Sequence, residues 1–151
     1  MKRLYSIFIF LAEKLLPFFV WADPKLNLFV QGRKNVFAEL KTAFQKTDQI
    51  FWFHAASLGE YEQAVPVMKA VKNAFPDHKI LVTFFSPSGY EVRKNNKLAD
   101  LTVYLPLDTK KNAKNFVERV RPSIAFFIKY EVWPNYLQEL ENHGIKTLLI
   151  S

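Results

Sequence analysis

From residue 50 onward the chain alternates short, uninterrupted apolar runs with longer amphipathic stretches, and this alternation most narrows the folds open to it. IFWFHAA from residue 50, KILVTFF at 79–85, LTVYL at 101–105, IAFFI at 124–128 and KTLLI at 146–150 read as five strands. Helical spacing predicts helices between them at about 60–74, 88–97, 109–120 and 133–142. Ala64, Val67, Met68, Val71 and Phe75 share one stripe; Ala113, Phe116, Val117 and Val120 share another. Pro76 and Pro122 close two of these helices, and Gly144 is placed as a C-terminal cap. Strands that are continuously apolar belong to a sheet covered on both faces. Strands separated by helices of this size form parallel βαβ units. The expected fold is α/β, a Rossmann-like parallel sheet flanked by helices over residues 51–151. Ligands of such sheets bind outside the carboxyl ends of the strands. That points to loops 54–60, 85–90, 105–109 and 128–134. Because Ser151 follows the fifth strand directly, the chain is expected to be part of a longer protein.

The N-terminal third has a different texture. Fifteen of the nineteen residues in LYSIFIFLAEKLLPFFVWA (4–22) are apolar, preceded by Lys2 and Arg3 and interrupted by Glu13 and Lys14. A spanning helix needs about 20 apolar residues with few charges. The adjacent charges near the centre favour a monotopic or shallowly inserted helix meeting anionic headgroups. The competing reading is a helix packed on the protein itself. Residues 23–31 read as a linker broken at Asp23-Pro24. In 33–46, Val36, Phe37, Leu40 and Phe44 recur at helical spacing, with Arg33, Lys34, Lys41 and Lys46 as a basic face. That helix is either an ordinary surface helix or part of a membrane-side platform. The division expected is therefore a membrane-associating helix at 1–22, a linker and basic helix at 23–50, and the α/β body.

Charge and composition exclude some chemistry. The formal charge is +7, of which residues 1–50 carry +4 and residues 51–151 carry +3. A basic surface suits nucleic acid, anionic lipid or acidic metabolites alike. Aromatic and basic residues do not interleave as in single-strand nucleic-acid grooves, so no nucleic acid is expected. With no Cys, thiolate catalysis and Cys-based metal sites are ruled out. His54, His78 and His143 stand apart without metal-ligand spacing.

Each loop carries a bland reading beside a sharper one. Ser57-Leu58-Gly59-Glu60 has capping-box spacing, with Ser57 and Glu60 satisfying each other's amides. Glu60 is equally placed to act as a general base toward a substrate hydroxyl, with His54 nearby to orient a ligand or bind an anion. Ser88 and Glu91 repeat the box in Ser86-Pro87-Ser88-Gly89-Tyr90-Glu91, where hydroxyls and free amides could also hold a phosphate. Neither a Walker motif nor GxGxxG is present. Asp108 is read as the cap of helix 109–120. Pro134 suits the first turn of its helix, and Glu131 is a second carboxylate at the edge that holds Glu60.

The stretches HAASLGEYEQAVPVMKAV, ILVTFFSPSGYE, VYLPLDT and VRPSIAFFIKYEVWPN occur in the order of, and resemble, the 3-deoxy-D-manno-octulosonic acid (Kdo) transferases of lipopolysaccharide synthesis. A looser likeness extends to Gly32-Arg33 and the hydrophobic N-terminus. The resemblance implies the acceptor-side, N-terminal half of a GT-B glycosyltransferase whose C-terminal donor domain is absent, so the chain alone is expected to be inactive. It implies transfer of Kdo from CMP-Kdo to an anionic lipid A precursor at the cytoplasmic face of the bacterial inner membrane, without a cofactor or metal. It makes Glu60 the catalytic base, and Ser57, Gly59, Ser86, Ser88, Gly89, Glu131 and Arg33 binding or supporting residues. One departure stands out: where the family often has an acidic residue two positions before Glu131, this chain has Lys129. The rival readings are a GT-B enzyme with another donor and acceptor, and a non-catalytic α/β binding or scaffold module.

Overall fold

The computed structural model describes residues 2–129 and 131–151. Five parallel strands form one sheet: β1 (Ile50–Ala55), β2 (Lys79–Phe84), β3 (Leu101–Tyr104), β4 (Ile124–Ile128) and β5 (Lys146–Ile150). Their spatial order is β3-β2-β1-β4-β5. The chain builds outward from β1 to β3, then crosses back to lay β4 against the other side of β1, pairing Phe53 with Phe126 and His54 with Phe127. The strand order therefore reverses between β1 and β4, and a crevice opens there at the carboxyl ends.

Side chains of β1 alternate between two cores. Ile50 and Trp52 pack with Leu81, Val103, Ala125 and Phe127 under α3 (Val36–Ala43), α6 (Lys110–Val120) and α7 (Pro134–Asn142). Phe51, Phe53 and Ala55 pack with Ile80, Val82, Phe84 and Phe126 under α4 (Leu58–Ala74). Burial on both faces explains the uninterrupted apolar runs. The edge strand β5 departs from that pattern: among the described residues it pairs only with β4, and Leu149 is exposed. α5 (Pro87–Arg93) ends before the expected residue 97. Asn96 stops it by donating to Arg93 O and accepting the amides of Leu98 and Ala99. Gly144, at φ 65°, follows α7 in the left-handed conformation expected of a C-terminal cap.

The N-terminal third contains more structure than its sequence suggests. α1 (Lys2–Leu15) runs into a 3-10 turn at Leu16–Phe19. The expected linker is instead a helix, α2 (Pro24–Gln31). Asp23 caps it by accepting the Lys25 amide at 2.8 Å, and Pro24 occupies the first turn, where a missing N–H costs nothing. α3 is likewise no mere surface helix, since Val36, Leu40 and the following Phe44 are fully buried in the main core.

α1 shows two faces. Tyr5, Ser6 and Glu13 dock on the body through Asp108, Asn135 and Asn112. The opposite stripe faces outward: Leu4, Ile7, Phe8, Leu11 and Leu15 are each at least half exposed, and Trp21 beyond it is 83% exposed. α1 is 14 residues long, about 21 Å at 1.5 Å per residue, short of the roughly 30 Å hydrocarbon core. No helix among the described residues is long and apolar enough to cross a membrane.

Candidate active site

All eight candidate residues lie at or beside the carboxyl edge of the sheet. The first loop leaves β1 at Ala55 and enters α4 with Ser57 as the N-cap residue in extended backbone. The expected reciprocal box does not form. The Ser57 side chain makes no capping hydrogen bond. The Glu60 carboxylate reaches one residue further back and accepts the Ala56 amide at 2.6 Å. It is half-buried, fixed by one oxygen at the positive end of a 17-residue helix. Gly59 is exposed, and a Cβ there would meet nothing within 4 Å. The first turn of α4 is thus uncrowded at Gly59, next in sequence to Glu60.

The second loop packs against the first. A Cβ on Gly89 would collide with the Phe84 ring and come within 3.0 Å of the Leu58 amide nitrogen. Only a glycine lets α5 approach the start of α4 this closely. Ser86, not Ser88, caps α5, accepting the Ser88 amide at 3.2 Å, and the two hydroxyls lie 2.8 Å apart. Glu91 plays no part in a box; it pairs with Lys94 at 2.6 Å.

Arg33 locks the N-terminal helices onto this edge. Its guanidinium donates to the carbonyls of Phe29, Phe85 and Leu105 at 2.7–2.8 Å. It also lies over the Phe29 ring at 3.6 Å. Burial pulls its pKa down to about 9, so it stays cationic at neutral pH. Three carbonyls from three segments make it a clamp on the loops after β2 and β3. Gly32 permits this, because a side chain there would run into Tyr104.

Asp108 corrects the sequence reading. Thr109 caps α6, accepting the Asn112 amide at 3.2 Å. The buried Asp108 carboxylate turns to α7 and accepts the amides of Asn135 at 3.1 Å and Tyr136 at 3.0 Å. Tyr5 OH donates to it at 2.9 Å. Burial raises its pKa, opposed by these hydrogen bonds. One carboxylate so fixes the start of α7, and with it the loop carrying Glu131.

In the fourth loop Pro134 opens α7 as expected. Glu131 Oε2 accepts from Trp133 Nε1 at 3.0 Å and lies 3.5 Å from His54 Nε2. His54 is not free to meet a ligand, as the sequence had allowed. It is fully buried, with Nδ1 2.9 Å from Thr83 Oγ1 and Nε2 accepting from Trp133 at 3.0 Å. Burial lowers its pKa. Lys129 adopts φ 58°, a left-handed conformation uncommon for a side-chain-bearing residue, at the point where the chain leaves β4. Sequence reasoning missed the His54–Trp133 pair and the reach of Asp108. The only signal for the former is a polar residue inside an otherwise apolar strand.

The fold and the edge define a class: a Rossmann-like domain of the GT-B type, with one carboxylate at the start of the helix after β1 and another in the loop after the adjacent strand β4, where the strand order reverses. Residues 31–151 match the family described as 3-deoxy-D-manno-octulosonic-acid transferase (kdotransferase), and the chain belongs to that family. Among curated relatives, the 3-deoxy-D-manno-octulosonic acid transferase of Chlamydia trachomatis is 30% identical over 99% of this chain and 36% of its own length. That of Aquifex aeolicus is 32% identical over 64% of this chain and 27% of its own length. That of Haemophilus influenzae is 32% identical over 61% and 22%. The chain thus spans about a third or less of the relatives it matches.

Proposed function

We propose that this chain is the acceptor-side domain of an enzyme that transfers Kdo from CMP-Kdo to a lipid A precursor, with Glu60 as general base. The observation that carries the reading is Glu60 itself: a carboxylate anchored by one oxygen to the Ala56 amide, on the same first turn of α4 as the uncrowded Gly59. An anchored carboxylate keeps its second oxygen for a substrate proton. Glu60 takes the proton of the acceptor sugar hydroxyl as that oxygen bonds to the anomeric carbon of Kdo. The bond from that carbon to the CMP phosphate breaks, and its electron pair leaves with CMP. No protein nucleophile is needed.

Ser57, Ser86 and Ser88 offer hydroxyls at the same edge, and Glu131 supports the site from the loop after the adjacent strand, β4. Arg33 acts by holding the loops after β2 and β3. The reading assigns the exposed α1 stripe to the membrane surface, where the acceptor lies, with Arg3 and Lys14 toward anionic headgroups. Turnover is proposed for the complete gene product, since the matched relatives are about three times longer. Incubating that product with CMP-Kdo and a lipid A precursor tests the substrate pair by mass spectrometry. The precursor is expected to gain Kdo; release of CMP without a Kdo-bearing lipid sinks this choice of acceptor.

A further inference from the structure

A buried polar relay runs from the core to the site and has no part in proton abstraction. Trp52 Nε1 donates to Thr83 Oγ1 at 2.8 Å, His54 Nδ1 meets the same oxygen at 2.9 Å, and His54 Nε2 meets Trp133 Nε1 at 3.0 Å. An indole N–H can only donate. At the outer end, the Trp133 N–H bonds to Nε2 only while that nitrogen is unprotonated. In that arrangement the one proton of a neutral ring sits on Nδ1 and points at Thr83, whose oxygen accepts from both Trp52 and His54. The Thr83 hydroxyl proton is left to face Phe53 O, at 3.5 Å. Two indole donors, one at each end of the relay, thus favour a neutral imidazole with its proton on Nδ1.

We propose that His54 is a positioning residue, locked as the neutral Nδ1–H tautomer, which holds Trp133 and through it sets the carboxylate of Glu131 at the mouth of the crevice. The inference rests on reading this edge as the transfer site. Trp133 divides its single N–H between His54 Nε2 and Glu131 Oε2, both at 3.0 Å. A second proton on His54 would face the indole N–H and drive Trp133 off. The titratable groups facing the ring are Glu131 on the β4 loop and, at longer range, Glu60 on α4. Both are carboxylates and would welcome that proton. Burial among β1, β2 and Phe127 acts against it. Holding the ring neutral thus keeps the loop in one arrangement, and acid releases it.

The ring-nitrogen chemical shifts of ¹⁵N-labelled protein read the tautomer directly. The expected result is a protonated Nδ1 and a free Nε2; the opposite tautomer overturns the proposal. Trp133→Phe removes the donor at the outer end of the relay while keeping an aromatic ring at the edge of the core, against which Trp133 packs. Its neutral His54 loses a hydrogen bond, so the ring should titrate roughly half to one pH unit higher. No upward shift counts against the proposal. In the complete gene product, His54→Leu should lower kcat by about tenfold or more. His54→Gln, which keeps an acceptor for the indole, should recover most of it. Equal losses in both variants reduce His54 to packing. Should His54→Leu fail to fold, Trp133→Phe carries the kinetic test by moving the acid limb of the kcat profile upward. If Glu60→Gln keeps transfer active while the tautomer is as stated, the reading of the site fails and the relay stands. If Glu60→Gln abolishes transfer and the tautomer is reversed, the relay fails alone.

Discussion

Asp108 caps the helix that starts 26 residues later, not the one that starts beside it: its carboxylate accepts the Asn135 and Tyr136 amides. With Tyr5 OH on the same group, one buried side chain joins α1, α6 and α7. Asp108→Ala leaves two helix-terminal amides and a tyrosine hydroxyl without their acceptor. We expect a loss of about 2–3 kcal/mol, a buried cap plus a buried hydrogen bond. Urea unfolding checks it; a loss under about 0.5 kcal/mol would show that these contacts do not hold α7.

Two glycines at the same edge should answer differently to a methyl group. Gly89→Ala drives a Cβ into the Phe84 ring and against the Leu58 backbone, an overpacking that costs about 1–3 kcal/mol, partly offset by better helix propensity. Gly59→Ala meets nothing and should leave stability within about 0.5 kcal/mol. If the open space beside it belongs to the acceptor, transfer by the complete gene product should still fall. Thermal melts paired with activity separate the two effects, and a Gly59→Ala enzyme with full activity would place the acceptor elsewhere.

The strands and helices were legible because the periodicities of burial are local. Strand order was not: nothing in IAFFI says that it returns beside IFWFHAA instead of extending the sheet past β3. Asp23-Pro24 reads as a break or as a cap followed by a first-turn proline, and only packing of the following residues decides. The Glu60 spacing announced a carboxylate turned back on its own loop, yet the amide it reaches is that of Ala56, one residue before the N-cap Ser57. Asp108 looked like a neighbouring cap because sequence shows only neighbours. That Glu60 and Glu131 stand at the ends of neighbouring strands is therefore a product of topology, with each carboxylate visible in sequence and their shared edge not.

Membrane contact should follow the outward stripe of α1. Replacing Leu4, Phe8, Leu11 and Leu15 with Ser leaves Tyr5 and Glu13 free to dock. It removes apolar side chains worth roughly 1.5–3 kcal/mol each when fully buried, less for shallow insertion. Flotation with vesicles containing anionic lipid should drop at least tenfold. Equal flotation of the quadruple variant and the parent rules the stripe out as the contact surface.

The central claim is the base. Gln at position 60 can still accept the Ala56 amide, so Glu60→Gln should fold and melt like the parent. It cannot take a proton from the acceptor hydroxyl. Positioned acid–base groups contribute about 10²–10⁴-fold, and kcat for Kdo transfer by the complete gene product should fall by that range. A well-folded Glu60→Gln enzyme with kcat within about tenfold of the parent would contradict the account.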